Sequence, residues 1–354
     1  MVASAPRRRG AARARALQLP TVGQEAFRRL SVASLAAVML IVATGAAVRL
    51  SGSGLGCPDW PSCYQHRFTA ELSYHPLIEF GNRLVTVALT VILVATLLGA
   101  LRRRPYRRDL AWLAAGLVAG VLGQAVLGGI VVYTKLNPYL VMAHFALSMA
   151  MVAAAAVLLH RSSRDYTPGA GRLLVMRPVL LVARGAVALL GMVVLAGTAV
   201  TGAGPHSGAA QNQLQPRRIP VSLRSMAELH SSLALLLVGI VLALAVSLHV
   251  LDVPERVRRA GRLFVAVLVA QAGIGYVQYF THLPALLVEV HVIGATSLVV
   301  GGVQFLLALT AHPPEPVAPR AGPPQELDEG AGEPARSEPD GAPGDLAELP
   351  AGGW

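Results

Sequence analysis

Two stretches, one in each half of the chain, carry the pattern that decides the fold. Residues 124–144 read QAVLGGIVVYTKLNPYLVMAH, and residues 271–291 read QAGIGYVQYFTHLPALLVEVH. Each begins with Gln and ends with His 20 residues later, with matching Ala, Gly, Thr, Leu and Val between them. Such self-similarity indicates a chain built from an internal repeat.

Outward from this repeat, most of the chain consists of apolar runs. A helix needs about 20 apolar residues to cross the hydrocarbon core of a bilayer. Hydrophobic residues make up 54% of the chain and charged residues only 14%, which is unusual for a soluble domain. We therefore predict an all-α integral membrane protein. Its eight predicted transmembrane helices lie near 29–50, 76–101, 109–133, 138–160, 179–203, 226–251, 261–281 and 285–310.

The repeat unit is four helices long. A second pair of similar stretches, ATGAAVRLSGSG at 43–54 and AGTAVTGAG at 196–204, ends the first and fifth predicted helices. Since four is an even number, the two halves share one orientation in the membrane. We expect two pseudo-symmetric four-helix bundles, 29–160 and 179–310, joined by a cytoplasmic linker over 161–178.

The distribution of charge predicts the orientation. The formal net charge of +11 comes from arginines that lie between apolar runs, which argues against nucleic acid as a partner. Alternate loops are rich in arginine, and such loops lie on the cytoplasmic side. Both termini are therefore expected in the cytoplasm, and segments 1–28 and 311–354 are predicted to be disordered tails. The arginines that indicate this include Arg7, Arg8, Arg9, Arg102, Arg103, Arg104, Arg161, Arg164, Arg256 and Arg258.

Three histidines, His144, His230 and His291, lie inside predicted spans at a similar depth near the outer face. Ionisable side chains inside a membrane are costly and usually mark a functional site. His230 and His291 would face one bundle interior from two helices, which suits two axial ligands on one haem iron. The alternative is that these histidines make interhelical hydrogen bonds. In the N-terminal half His144 is present, but Asn82 stands where a second histidine is expected.

A carboxylate lies close to Asn82 in the sequence. Glu79 precedes it by one helical turn, so the two side chains share a helix face. At the mouth of a bundle, Glu79 is a candidate acid, base or cation stabiliser. The alternative is an ordinary ion pair with Arg83, four residues further along the helix.

The chain has two cysteines, Cys57 and Cys63, and both lie in the first outer loop. The outer compartment is oxidising, so the first expectation is a disulfide that staples this loop. The alternative is a redox-active pair that exchanges electrons or thiols during turnover.

Several of these motifs together resemble the CtaA family of haem A synthases. They are VRLSGSGLGCPDWPSC at 48–63, IEFGNR at 78–83, TGAGPHSG at 201–208 and the Gln-to-His repeat. The resemblance implies a protein that oxidises one methyl group of haem O to a formyl group, which yields haem A for terminal oxidases. It implies that His230 and His291 are the axial ligands of a haem b cofactor.

For the N-terminal half, the resemblance implies that His144 serves the substrate haem and that Glu79 is the catalytically important glutamate. Cys57 and Cys63 match the family's outer-loop cysteine pair. The implied location is the plasma membrane, crossed several times, with haem O and the lipid bilayer as partners. Association with haem O synthase, or with a second copy of the chain, stays open.

The second predicted helix departs from the family pattern. Many relatives read ExxHR, whereas this chain has Asn82 in place of the histidine. An amide nitrogen has no available lone pair, so Asn82 cannot act as the usual strong nitrogen ligand. The substrate iron would be held by His144 alone, with an open position, or by a further group such as His75.

Two rival functions fit parts of the same pattern. A membrane b-type cytochrome that only transfers electrons would carry similar histidine pairs in four-helix halves. A transporter would also have parallel repeats, although this sequence has no obvious broken helices.

Overall fold

The computed structural model describes residues 21–64, 67–163, 166–213 and 215–312. Within these ranges the chain forms eight α-helices that are long and apolar enough to cross a membrane. The prediction of an all-helical membrane protein with eight spans is confirmed. The helices are α1 (Gln24–Leu50), α2 (Tyr74–Arg102), α3 (Arg108–Tyr133), α4 (Pro138–Arg161), α5 (Arg177–Ala203), α6 (Leu223–Val250), α7 (Glu255–Phe280) and α8 (Ala285–Ala308).

Two helices begin about one and a half turns earlier than the apolar runs predict. Helix α1 starts at Gln24, inside the predicted N-terminal tail, and α7 starts at Glu255. In α7 this first turn is polar, since the Glu255 carboxylate accepts hydrogen bonds from Arg258 and Arg262 at 3.0 and 2.5 Å. A hydropathy window finds where a helix enters lipid, whereas backbone hydrogen bonding continues through the polar interface.

The predicted tails fall mainly outside the described residues, which leave out 1–20 and 313–354. The predicted linker contains a feature that the sequence did not indicate. Strand β1 (Arg172–Leu173) pairs antiparallel with strand β2 (Thr310–Ala311), directly after α8. Next to this pair, the ring of His312 stacks on Tyr166 with 4.3 Å between centroids. Burial and neighbouring arginines lower the pKa of His312.

The eight helices pack as two sets of four. Helices α1 to α4 contact one another in a ring, and so do α5 to α8. In the first ring α2 lies diagonally opposite α4, and in the second α6 lies diagonally opposite α8. Each ring encloses its own apolar cluster, which includes Phe27 and Leu93 in the first and Leu237 and Phe264 in the second. The sets meet where α8 contacts α1 and α4, and where α4 contacts α5.

The internal repeat is visible in the backbone of two turns. Lys135 and Leu136 join α3 to α4 with φ of 52° and 60°, and His282 and Leu283 join α7 to α8 with φ of 64° and 60°. Two successive left-handed residues without glycine are uncommon, so their recurrence indicates one turn design used twice. As a result, α4 begins in the same position relative to α3 as α8 does relative to α7.

Candidate haem sites

The structure brings His230 and His291 together from the diagonal helices α6 and α8. Their ring centroids are 6.3 Å apart, and their planes cross at 68°. Metal–imidazole bonds of about 2 Å, with each nitrogen about 1 Å from its ring centre, place two ligand rings about 6 Å apart on opposite sides of one metal. The spacing therefore fits one iron held between two axial imidazoles.

Hydrogen bonding prepares His230 for this role. Its Nδ1 lies 3.0 Å from the backbone oxygen of Val193 and, as the N–H tautomer, donates to it. This leaves Nε2 with its lone pair, which is the arrangement that metal-ligating histidines commonly use. A Cβ added at Gly197 would lie 3.1 Å from Cε1 of His230, so glycine leaves room for the ring.

His291 is held through its backbone. The Gln271 side-chain amide donates to the His291 carbonyl oxygen at 2.7 Å, which fixes α8 against α7 at the level of the ligand. A Cβ at Gly275 would lie 3.1 Å from Cε1 of His291. Nδ1 of His291 is buried without a hydrogen-bond partner among the described residues. An imidazole that no protein group satisfies suits an added ligand such as a metal.

The N-terminal half reproduces these surroundings at His144. The Gln124 amide donates to the His144 carbonyl oxygen at 3.0 Å, and a Cβ at Gly128 would lie 3.4 Å from Cε1 of His144. Nδ1 of His144 is also buried without a partner in the described part of the chain. His144 and His291 are therefore equivalent in structure as well as in sequence.

Asn82 on α2 is turned toward α1. Its Oδ1 accepts a hydrogen bond from the Thr44 hydroxyl at 2.8 Å. In the repeat, GAAV from Gly45 corresponds to GTAV from Gly197. A Cβ at Gly197 would touch His230, whereas one at Gly45 would have nothing within 4 Å. The N-terminal site thus keeps open the space that the second imidazole fills in the C-terminal site.

Thr44 is a site residue that the sequence interpretation missed. It lies in the stretch ATGAAV, which was noted only as part of the repeat. Its polar side chain within an apolar span was the available signal. His75, which the sequence leaves open as a further ligand, is attached to the loop after α1, because its Nδ1 lies 3.0 Å from the Ser53 hydroxyl.

Glu79 lies near the N-terminal end of α2 and is only 6% exposed. Oε1 accepts from the Arg83 guanidinium at 2.7 Å, so the ion pair that the sequence left as an alternative is present. Oε2 accepts from the backbone N–H of Cys57 at 2.8 Å. The carboxylate is thus fixed from two sides, and one of them is the first outer loop.

Cys57 and Cys63 form a disulfide, with 4.4 Å between their Cα atoms, and both side chains are fully buried. The expectation of a loop staple is therefore confirmed as far as the bond itself is concerned. Next to it, burial and the negative charges of Glu71 and Glu79 raise the pKa of Tyr64. The loop therefore contacts the N-terminal helix set at Glu79.

Fold and site together define a polytopic membrane protein with two imidazoles whose spacing would fit one metal ion between them. Residues 28–301 match the family model COX15-CtaA, described as cytochrome oxidase assembly protein. Because this match covers most of the chain, the protein belongs to that family.

Several curated relatives named heme A synthase are similar to parts of the chain. The relative from Geobacillus kaustophilus is 36% identical over 109 residues, which are 30% of this chain and 33% of the relative. The one from Symbiobacterium thermophilum is 38% identical over 127 residues, 35% of this chain and 41% of the relative. The one from Bacillus pumilus is 31% identical over 147 residues, which are 40% of this chain and 48% of the relative. The matched part spans a third to a half of these relatives' length.

Proposed function

We propose that this protein is a haem A synthase, which oxidises one methyl group of haem O to a formyl group. The observation that supports it best is the imidazole pair of His230 and His291 in a chain that matches the COX15-CtaA family, and the two equivalent sites differ in one respect. The C-terminal site has two imidazoles 6.3 Å apart, whereas the N-terminal site has His144 and an amide, Asn82. Two axial imidazoles close an iron to other ligands, while one leaves a position where chemistry can occur.

In this proposal the C-terminal helix set, 179–310, holds haem b through His230 and His291. When bound, this cofactor supplies one-electron exchange. The protein contributes the hydrogen bond from His230 to the Val193 carbonyl, which orients the ring and increases its basicity. Glycine at 197 leaves room for that ring beside α5.

The N-terminal set, 29–160, binds haem O as substrate, with His144 as its one protein ligand. Asn82 does not bind the iron, because its amide nitrogen has no lone pair and its oxygen is held by Thr44. Conversion of methyl to formyl is a four-electron oxidation: with water as the source of the oxygen atom, four electrons pass to an external acceptor and four protons are released. Glu79, buried at the outer mouth, accepts a proton or stabilises developing positive charge there.

The proposed location is the plasma membrane, with both termini in the cytoplasm. The support is the excess of arginine in alternate loops and the disulfide in the first loop of the opposite side. Disulfides persist in oxidising compartments, which agrees with an outer position for Cys57 and Cys63. Both haem sites then lie nearer the outer face.

The test is co-expression of the chain with a haem O synthase, followed by extraction and identification of the haems. We expect haem A, together with haem b that co-purifies with the protein. A preparation that contains haem b but never yields haem A would instead support the b-type cytochrome. A control with His230→Ala should lose haem b while the chain is still inserted in the membrane.

A further inference from the structure

Arg83 lies in the first part of α2, and its guanidinium donates several hydrogen bonds to the first outer loop. One nitrogen, Nη2, donates to Glu79 Oε1 at 2.7 Å and to the Asp59 carbonyl oxygen at 3.0 Å. The other, Nη1, donates to the carbonyl oxygens of Ser62 at 3.0 Å and Pro61 at 3.3 Å. Three carbonyl groups and one carboxylate therefore surround a single cation.

All three carbonyl groups belong to the short ring that the disulfide closes. Cys57 and Cys63 bracket residues 59 to 62, and the N–H of Cys57 donates to the second carboxylate oxygen of Glu79. Both oxygens of Glu79 are thus fixed by the ring, one directly and one through Arg83. Charge-assisted bonds of this kind are short and directional, so they define the position of the carboxylate.

The ring is also attached to the neighbouring helix α3. The Tyr133 hydroxyl donates to the Trp60 carbonyl oxygen at 2.6 Å, and the Trp60 indole lies so close to Gly129 that a Cβ there would be 2.8 Å from it. The middle of the ring is therefore anchored without the cysteines. What the disulfide adds is closure of the two ends, which carry the contacts to Glu79.

We propose that the Cys57–Cys63 ring is a positioning device for Glu79, and that Arg83 is the positioning residue through which it acts. This inference rests on the proposed function, in which Glu79 serves the oxidation of haem O. An added dithiol opens the ring by reducing the disulfide to two thiols, and the reagent itself is oxidised to a disulfide. The carbonyl groups then lose their fixed spacing, the guanidinium loses acceptors, and the carboxylate gains rotamers.

The first experiment follows the Glu79 carboxylate by infrared spectroscopy, with its band assigned by its loss in Glu79→Gln. We expect the band to shift in Arg83→Gln and in Cys57→Ala/Cys63→Ala. In both variants kcat for haem A formation should fall about 10- to 100-fold, as for a misplaced catalytic group. KM for haem O and the haem b content should stay at the wild-type level. Arg67→Gln, which removes an exposed arginine beside the same loop, is the matched control and should change nothing.

The second experiment combines the variants. If the ring acts through Arg83, the triple variant is no slower than Arg83→Gln alone, since residues on one route are not additive. The opposite result is that the losses of kcat multiply in the triple variant and the Glu79 band is unshifted in the cysteine variant. This result would indicate electron or thiol exchange by the cysteines and would overturn the proposal. Full activity in Arg83→Lys would also overturn it, because lysine keeps the charge but not the fork of donors.

These outcomes are separable from a failure of the proposed function. A wild-type protein that never forms haem A removes the kinetic readout but leaves the infrared comparison intact. A shifted band would then still establish the positioning of Glu79 by the ring, and an unshifted band would contradict it.

Discussion

At the scale of single residues, the difference between the two helix sets comes down to position 82. The imidazole of His230 is replaced there by the shorter side chain of Asn82, which bonds to Thr44 on α1 at 2.8 Å. The adjacent Gly45 has open space where Gly197 meets an imidazole. Gly45 therefore leaves open space in the N-terminal set at the position that corresponds to the His230 ring in the C-terminal set.

The first prediction tests that space. Asn82→His should bind the N-terminal haem with two imidazoles and convert it to the six-coordinate low-spin form, visible in absorption and electron paramagnetic resonance spectra. Haem A formation should fall about tenfold or more, because the open position is closed. Thr44→Val is the control, since it removes the hydroxyl but adds no ligand, and its spectrum should not change. A low-spin Asn82→His protein with wild-type activity would contradict the open-site proposal.

The second prediction concerns Glu79. Glu79→Ala should retain haem b, because the carboxylate contacts the first outer loop and Arg83 rather than the C-terminal histidines. It should nevertheless lose haem A formation by about 100-fold or more, as expected for a general acid or base. Haem extraction and chromatography measure both quantities in one preparation. A normal yield of haem A would remove Glu79 from the mechanism.

At the scale of helices, each half uses the same hairpin to hold its histidine. Gln124 and Gln271 donate across the hairpin to the carbonyl oxygen of the histidine, at 3.0 and 2.7 Å. Because the hairpin turn is also the same, the depth of the ligand relative to its partner helix is fixed by local contacts. Interhelical hydrogen bonds of this kind contribute about 1 kcal/mol in a membrane.

The third prediction uses these two glutamines as matched partners. Gln271→Leu should weaken α7 against α8 by about 1 kcal/mol and lower the temperature at which haem b is released. Gln124→Leu makes the same chemical change in the other half and should leave haem b release unchanged. Heating each variant while the haem absorption band is recorded distinguishes the two effects. Equal effects of the two variants on haem b would argue against separate haem sites in the two helix sets.

The sequence predicted the helices and the positions of the histidines within them well, because both leave local patterns. Long apolar runs and a repeated Gln-to-His spacing are enough to find α3, α4, α7 and α8 and the buried histidines. The contacts of Arg83 with three loop carbonyl groups, and of Thr44 with Asn82, leave no such pattern. They depend on where a loop or a neighbouring helix lies after folding, and backbone acceptors carry no residue signature.

At the scale of the whole molecule, the two helix sets are tied together by the segments that follow α1 and α5. The N–H of Gly54 in the first outer loop donates to the Gly208 carbonyl oxygen in the third at 2.7 Å. Arg49, at the end of α1, donates to the carbonyl oxygens of Thr201 and His206 at 2.8 and 2.9 Å. The loop with the disulfide is thus bonded to the C-terminal half as well as to Glu79.

The fourth prediction follows from the burial of Arg49 between the halves. Arg49→Gln removes charge-assisted hydrogen bonds to the Thr201 and His206 carbonyl groups and leaves buried acceptors, which costs about 1–3 kcal/mol. We expect a lower midpoint of thermal unfolding, with haem b content unchanged at low temperature, because no haem ligand is altered. Arg224→Gln is the control, since Arg224 pairs only with the exposed Glu228 at 2.8 Å and contributes little. If both variants unfold at the wild-type temperature, the contacts of Arg49 do not hold the two sets together, and the packing of α8 against α1 and α4, and of α4 against α5, carries that task.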